Sequence, residues 1–166
     1  INDMLESVFG FDKYSEITRE YAIKSTYCDL AVKINEKIEY LIEVKAIGIE
    51  LNESHLRQAI NYAANEGIQW VVLTNGIHWE VFRVTLKTKV IQEKVASFNF
   101  LELSSRRADD QALLFPLCRG GVSKNLIDEL YEHKKSVNRF NIGAIIQSDP
   151  LISVIRRERG KCHQGL

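Results

Sequence analysis

The stretch from Cys28 to Lys45 reads CDLAVKINEKIEYLIEVK, and it decides the fold of the chain. Apolar and polar residues alternate over Leu30–Ile34 and again over Ile38–Ile42, on either side of a polar turn. Period-2 alternation around a short polar turn indicates a β-hairpin. We therefore predict two antiparallel strands joined by the three-residue turn 35–37.

The centre of the turn determines which residues face each other across the hairpin. With the centre near Glu36, Asp29 lies opposite Glu43, and the complementary pair Lys33 and Glu39 lies near the tip. Cross-strand neighbours are about 4.5–5.5 Å apart at Cβ, and like charges that face each other are destabilising. A stable hairpin avoids two facing carboxylates unless a cation lies between them.

The residue types around these carboxylates predict metal-dependent hydrolysis. Two carboxylates suit Mg²⁺, which takes oxygen ligands at about 2.0–2.1 Å and keeps several waters. Lys45 lies two residues beyond Glu43, so it projects from the same face, where a lysine can position or deprotonate a water. Metal-bound water is a nucleophile near neutral pH and can hydrolyse a phosphodiester. The alternative is that Asp29, Glu43 and Lys45 are the solvent-exposed face of an edge hairpin.

The sequence around the hairpin predicts a mixed α/β domain. Residues 2–9 form a short helix, and residues 17–23 are ambiguous between helix and strand. Asn52 caps a helix over residues 53–66, which Gly67 ends. Further elements are strands at 70–74, 77–84 and 90–98, helical sequence from about 106 to 147, and a short helix after Asp149-Pro150.

We place the domain boundary where strands give way to helices, with an α/β core over residues 1–103 and a helical extension over residues 104–166. The formal net charge is zero, but residues 1–50 carry 10 acidic and 6 basic side chains, whereas residues 117–166 carry 5 and 9. This asymmetry is typical of a cation-binding part next to a phosphate-binding part, or of an ordinary solvated surface.

Cysteine usage and hydropathy predict the compartment. The three cysteines are odd in number, far apart and not spaced as metal ligands, which favours a reducing, cytoplasmic location. Cys28 shares the parity of Leu30 and Val32, so we expect it to be a core thiol. No apolar run reaches the 18 or so residues that span a membrane, so no membrane partner is expected.

Asp29 followed after thirteen residues by Glu43-Val44-Lys45 resembles the motif of the PD-(D/E)xK nuclease superfamily, with Cys28 in place of the usual proline. Gln58 and Tyr62, four residues apart on the next helix, resemble the Gln-x-x-x-Tyr extension of its exonuclease-like and type I restriction branches. The other reading of this pair is an ordinary helix surface.

A longer stretch of sequence resembles one branch of this superfamily. Residues 69–83, QWVVLTNGIHWEVFR, resemble the strand–turn–strand that follows this helix in the N-terminal nuclease domain of type I restriction enzyme R subunits. Residues 134–140 and 154–158 are similar to the helical tail of such domains. The resemblance implies a restriction-endonuclease-like core, which is a mixed β-sheet flanked by helices.

The same resemblance implies a domain that cleaves double-stranded DNA with Mg²⁺ or Mn²⁺. The implied metal ligands are Asp29, Glu43 and the backbone carbonyl of Val44, while Lys45 assists the attacking water and Gln58 and Tyr62 support the site. Glu20 or Glu6 is a candidate for the upstream acid that often completes such sites. Candidate phosphate contacts are Lys134, Lys135 and Arg139, with Lys124, Arg156 and Arg157 as further cations; a solvated helix face explains each equally well.

R subunits also carry an ATP-driven motor, and this chain has no Gly-x-x-x-x-Gly-Lys-[Ser/Thr] phosphate loop. Because it begins at Ile1, we expect a fragment of a larger protein or a helicase-free relative. Its partners would then be DNA, a motor domain, and methylation or specificity subunits. Two other functions stay open, namely a catalytically inactive nucleic-acid-binding or assembly module and an enzyme acting on small phosphate esters.

Overall fold

The computed structural model describes residues 1–23 and 26–136. Two compact units divide the chain, Ile1–Leu130 and Tyr131–Leu166. The elements are α1 (Asn2–Ser7), β1 (Ile17–Ile23), β2 (Thr26–Ile34), β3 (Lys37–Val44), α2 (Arg57–Glu66), β4 (Trp70–Thr74), β5 (His78–Leu86), β6 (Val90–Asn99), α3 (Ala108–Leu114), α4 (Arg119–Val122) and α5 (Leu126–Ser136). Short 3-10 turns lie at Glu53–Leu56, Phe100–Glu102 and Phe115–Leu117.

The six strands form one sheet in the order β1-β2-β3-β4-β5-β6. Strands β3 and β4 are parallel, and the other neighbouring pairs are antiparallel. Parallel neighbours need a crossover, and the segment containing α2 provides it. The ambiguous residues 17–23 are the strand β1, so the hairpin β2–β3 is an interior part of the sheet. The hairpin is therefore not at an edge of the sheet, in contrast to the edge-hairpin alternative.

Both faces of the sheet are covered. Ala31 and Leu41 are fully buried in the apolar cluster that α2 forms with the sheet through Leu56, Ala59 and Ala63. Neighbouring strand residues point to opposite faces, so Tyr40 lies on the other side, where its ring packs edge-on against Phe11 at 6.1 Å. A mixed sheet flanked by helices confirms the predicted α/β class and is consistent with a restriction-endonuclease-like core.

The hairpin register is as predicted at its base, where Leu30 pairs with Ile42 and Val32 pairs with Tyr40. A bulge after Val32 then shifts the tip, and Lys33 pairs with Ile38. The predicted facing of Lys33 and Glu39 is therefore wrong. A bulge places two residues of one strand against one of its partner, so periodicity alone does not reveal it.

The turn itself has two residues, and the predicted three-residue turn is wrong. Asn35 and Glu36 have φ angles of 51° and 64°, and Lys37 already begins β3. Positive φ at both central residues is the requirement of a type I′ turn, whose backbone matches the right-handed twist of the flanking strands. At this tip Lys37 Nζ pairs with Glu39 of its own strand at 3.2 Å.

The helical segment after the hairpin is capped by Asn52 and ended by Gly67 as predicted, but its first turn, Glu53–Leu56, is a 3-10 helix and α2 begins at Arg57. The Asn52 side chain accepts a hydrogen bond from the Ser54 N–H at 3.0 Å, and Gly67 ends α2 with a φ of 71°. Leu56, Ala59 and Ile60 are buried on the inner face of this segment.

The chain after residue 103 contains the short helices α3, α4 and α5 within the described residues. The predicted helical sequence from 137 to 147, the helix after Asp149-Pro150, and Arg139, Arg156 and Arg157 lie outside the described residues. The boundary between residues 103 and 104 stays a prediction. No helix in the described part of the chain is long and apolar enough to cross a membrane.

Tyr40 provides a test of how the sheet is held to the 3-10 turn Phe115–Leu117. Its buried hydroxyl donates a hydrogen bond to the Leu117 carbonyl at 2.9 Å. Tyr40→Phe leaves that carbonyl without its donor, so we expect the free energy of unfolding in urea to fall by about 1–2 kcal/mol. Tyr14→Phe is the control, because Tyr14 is 91% exposed and should leave the stability unchanged. Equal stability of both variants would contradict this role.

Candidate metal site at the end of the central hairpin

Asp29 is held where the ladder between β2 and β3 ends. The last pair of that ladder is Leu30 with Ile42, and one residue further the Asp29 Oδ2 atom accepts the Val44 N–H at 2.7 Å. A side-chain carboxylate thus takes the position that a backbone carbonyl has along the rest of the ladder. This hydrogen bond fixes one oxygen of Asp29 at the carboxyl end of β3.

Glu43 and Lys45 form a close pair beside this point. The Lys45 Nζ lies 2.5 Å from Glu43 Oε1, and the two side chains are 28% and 13% exposed, respectively. Burial raises the pKa of Glu43, the hydrogen bond from Lys45 lowers it, and the charge of Asp29 raises it again. The Asp29 carboxylate is therefore close enough to Glu43 for its charge to disfavour ionisation of Glu43.

The backbone of Lys45 is anchored by the next strand. Its N–H donates to the Thr74 carbonyl at 2.7 Å, and Thr74 is completely buried at the carboxyl end of β4. The Thr74 hydroxyl in turn donates to the His78 carbonyl at 2.9 Å. The carboxyl ends of two adjacent parallel strands thus hold Lys45, and such ends are where α/β proteins commonly bind ligands.

A surface depression of about 460 Å³ opens at this end of the sheet. It is lined by Ile1, Asn2, Arg19, Glu20, Asp29, Leu30, Val44, Lys45 and Ala46. Of the two upstream acids that the sequence left open, Glu20 lines this depression, whereas Glu6 forms an ion pair with Lys13 at 3.7 Å. Glu43 does not line it and is joined to it through Lys45.

The other sequence-predicted residues lie elsewhere in the described structure. Gln58 is exposed in the first turn of α2, and Tyr62 is half-buried against the apolar cluster under that helix. Neither residue lines the depression. Lys134 and Lys135 are exposed near the end of α5.

Two residues of the depression, Asn2 and Arg19, were missed by the sequence pattern. Had residues 17–23 been assigned to a strand next to β2, Arg19 and Glu20 would have been placed beside Asp29. The Asn2 side chain carries an Oδ1 atom that is buried and accepts no hydrogen bond from the described residues. Its position at the start of a short helix gives no sequence signal of its own.

The oxygen donors present fit Mg²⁺. Within residues 1–23 and 26–136, no group of three or more His, Cys, Asp or Glu side chains is arranged to hold a metal. Mg²⁺ needs fewer, because it is typically bound through one or two carboxylates together with waters and substrate phosphates. Asp29 Oδ1 and Glu43 Oε2 form no hydrogen bond with a described residue, so these two oxygens are available as ligands.

Cys28, which stands where the resembled motif has proline, is a buried thiol as predicted. It is 1% exposed, and its Sγ lies 3.3 Å from the Ile42 carbonyl. Burial raises its pKa to about 12. The thiol therefore packs the base of the hairpin and stays protonated at neutral pH.

Comparison with known proteins gives one match. Residues 4–97 match the family model described as type I restriction enzyme R protein N terminus. The matched range contains β1 to β5, α2 and every residue of the depression except Ile1 and Asn2. Comparison with curated proteins and with solved structures gave no match.

The close carboxylates generate a prediction about stability and metal. Asp29→Asn removes one of two like charges, so without metal we expect the melting temperature to rise by about 1–3 °C. In the wild type, millimolar Mg²⁺ should raise the melting temperature, because the ion binds the folded state alone, and Asp29→Asn should lose this response. Asp3→Asn, at a side chain 91% exposed, is the matched control for differential scanning fluorimetry. If Mg²⁺ raises the melting temperatures of Asp29→Asn and Asp3→Asn equally, Asp29 is not a ligand of the metal.

Thiol reactivity checks the packing beneath the site. A thiol with a pKa of about 12 has almost no thiolate at pH 8, and thiolate is the reactive form. We expect N-ethylmaleimide to leave Cys28 unmodified in the native protein and to modify it in urea, as peptide mass spectrometry would show. Rapid native labelling of Cys28 would mean that the base of the hairpin opens readily.

Proposed function

The chain belongs to the family of type I restriction enzyme R protein N termini, and from this we propose that it is a Mg²⁺-dependent endonuclease domain for double-stranded DNA. One observation carries the proposal. The Asp29 carboxylate is bound to the backbone of the same strand end that presents Glu43 and Lys45, with Val44 N–H and Asp29 Oδ2 2.7 Å apart. Two acids and a lysine at one strand end are the groups that phosphodiester hydrolysis requires.

Asp29 and Glu43 would hold the ion together with the Val44 carbonyl. When bound, Mg²⁺ neutralises charge on a phosphate and lowers the pKa of a coordinated water. The Val44 N–H fixes the orientation of Asp29, and the Lys45 ammonium fixes that of Glu43. Each carboxylate therefore keeps one oxygen for the ion while its other oxygen is held by the protein, which gives the site its geometry before substrate arrives.

Lys45 has a second task in this proposal. Its ammonium carries three N–H donors, and Glu43 occupies one of them. The remaining donors orient the attacking water and stabilise the negative charge that develops on the phosphate oxygens. The Thr74 carbonyl holds the Lys45 backbone, so the ammonium acts from a fixed strand end.

Glu20, Gln58 and Tyr62 complete the proposed site at its margin. Glu20 lines the same depression as Asp29 and is a carboxylate available to a water of the hydrated ion. Gln58 is exposed and free to contact the DNA backbone, whereas the half-buried Tyr62 anchors that helix face. Lys134, Lys135 and Arg139 remain proposed phosphate contacts.

As a component of a type I restriction-modification or related DNA-processing system in the cytoplasm, the domain would receive its DNA from other parts of a larger assembly. A motor domain and methylation or specificity subunits are the proposed partners. The formal net charge of zero is consistent with this. Affinity for DNA depends on Lys and Arg side chains that contact phosphates, and a chain whose charges balance binds DNA weakly by itself.

Plasmid cleavage tests the proposal. We expect the protein to nick and linearise supercoiled plasmid with Mg²⁺ or Mn²⁺, and Lys45→Ala and Asp29→Ala to lower the rate at least about 100-fold, because each removes a group that acts in the transition state. Lys89→Ala is the control, since this lysine is exposed in the β5–β6 turn far from the strand end in sequence. Gel densitometry over time gives the rates.

Two outcomes would contradict the proposal. Cleavage that persists in both Lys45→Ala and Asp29→Ala would assign the activity to another site or a contaminant. A wild-type protein that binds DNA yet leaves it intact with either metal would favour the alternative, a catalytically inactive module with this fold.

A further inference from the structure

Arg19 lies at the same level of the sheet as the proposed metal ligand. It is on β1, and its partner across the strand pair is Leu30, the residue next to Asp29. The Arg19 side chain is exposed and lines the depression that Asp29 and Lys45 also line. Arg19 and Asp29 therefore line one depression from adjacent strands.

The backbone beside Arg19 is unusual. Glu20 has a φ of 47°, a left-handed conformation that is uncommon for a residue other than glycine. Both Arg19 and Glu20 line the depression. Such conformations persist where the surrounding structure enforces them, and they are concentrated at functional sites.

Arg19 differs from the arginines that hold the fold together. Arg83 pairs with Asp128, Arg107 pairs with Asp110 at 2.6 Å, and Arg119 pairs with Glu16 at 2.8 Å. Two carboxylates, those of Glu20 and Asp29, line the same depression as Arg19, yet Arg19 makes no ion pair with any of the described residues. Its planar donor group is thus available to a ligand.

We propose that Arg19 binds a non-bridging oxygen pair of a DNA phosphate at or next to the bond that is cut. This rests on the proposed endonuclease function and adds the residue that recognises the phosphate. The guanidinium presents two parallel N–H groups that match a phosphate bidentately, a geometry that the Lys45 ammonium lacks. In this proposal the carboxylates of Asp29 and Glu43 bind Mg²⁺, and the Arg19 guanidinium binds the DNA phosphate.

The polar lining of the depression supports a ligand at this place. Asn2 lines the depression, and its Oδ1 atom is buried without a donor from the described residues. Buried acceptors without a partner are rare, and each requires an explanation. Arg19, drawn inward by a phosphate, would offer its remaining N–H groups on this side of the depression.

DNA binding without cleavage tests Arg19 directly. We would measure the fluorescence anisotropy of a labelled 20-base-pair duplex over a range of salt concentrations, with Ca²⁺ in place of Mg²⁺ to suppress cleavage. We expect Arg19→Ala to weaken binding about 10-fold and to reduce the slope of log K against log salt by about 0.9, the value for one phosphate contact. Arg19→Lys should keep the slope, because it keeps the charge.

Cleavage rates then separate the bidentate contact from charge alone. We expect Arg19→Lys to cleave at least about 10-fold more slowly than wild type while binding normally, because an ammonium lacks the planar fork. Arg106→Ala, an exposed arginine before α3, is the matched control in both measurements. Melting temperatures equal to wild type for both Arg19 variants show that the fold is intact.

The results distinguish this proposal from the one on which it rests. Arg19→Ala with the salt slope and the cleavage rate of Arg106→Ala would overturn the role of Arg19 while the endonuclease function stands. Wild-type protein without cleavage in Mg²⁺ or Mn²⁺ overturns the endonuclease function. If the slope of log K against log salt is then still about one unit smaller for Arg19→Ala than for wild type, Arg19 contacts a phosphate in a module that binds DNA without cutting it.

Discussion

The hydrogen bond from Val44 N–H to Asp29 Oδ2 is the interaction on which the site depends. It ends the ladder between the two interior strands with a side chain, so one oxygen of the exposed Asp29 carboxylate is held against the end of β3. Val44 is flanked by Glu43 and Lys45, and one strand end therefore carries all the proposed groups. Burial of the hairpin on both faces, by α2 and by the layer around Tyr40, keeps that strand end rigid.

This arrangement has an electrostatic cost that the rest of the fold tolerates. Burial and the charge of Asp29 both raise the pKa of Glu43, and the Lys45 ammonium offsets only part of this. Natural proteins tolerate such conflicts mainly where function requires them. The fold could relieve the conflict by replacing either acid with an amide. Retaining both carboxylates next to a lysine is consistent with a site whose stable state includes a cation.

Alternation along the chain was enough to predict the hairpin, its register at the base, and the helix between Asn52 and Gly67. It failed where backbone conformation departs from the regular pattern. The bulge after Val32 and the left-handed pair Asn35 and Glu36 shifted the tip, and neither alters the apolar spacing. Arg19 was missed because residues 17–23 were ambiguous between helix and strand, and it is the strand β1 that brings Arg19 to the depression that Asp29 lines.

The charges in and beside the depression make DNA binding depend on metal. Arg19 and Lys45 bring two positive charges to the depression, Glu20 and Asp29 bring two negative charges, and Glu43, which pairs with Lys45 beside it, brings a third. A DNA phosphate entering this environment without a divalent cation meets net repulsion, whereas a bound Mg²⁺ reverses the sign. Metal and DNA should therefore bind cooperatively, each strengthening the other, as linkage requires. A neutral chain with this coupling has little affinity for DNA at large and acts where another part of an assembly holds the duplex against the site.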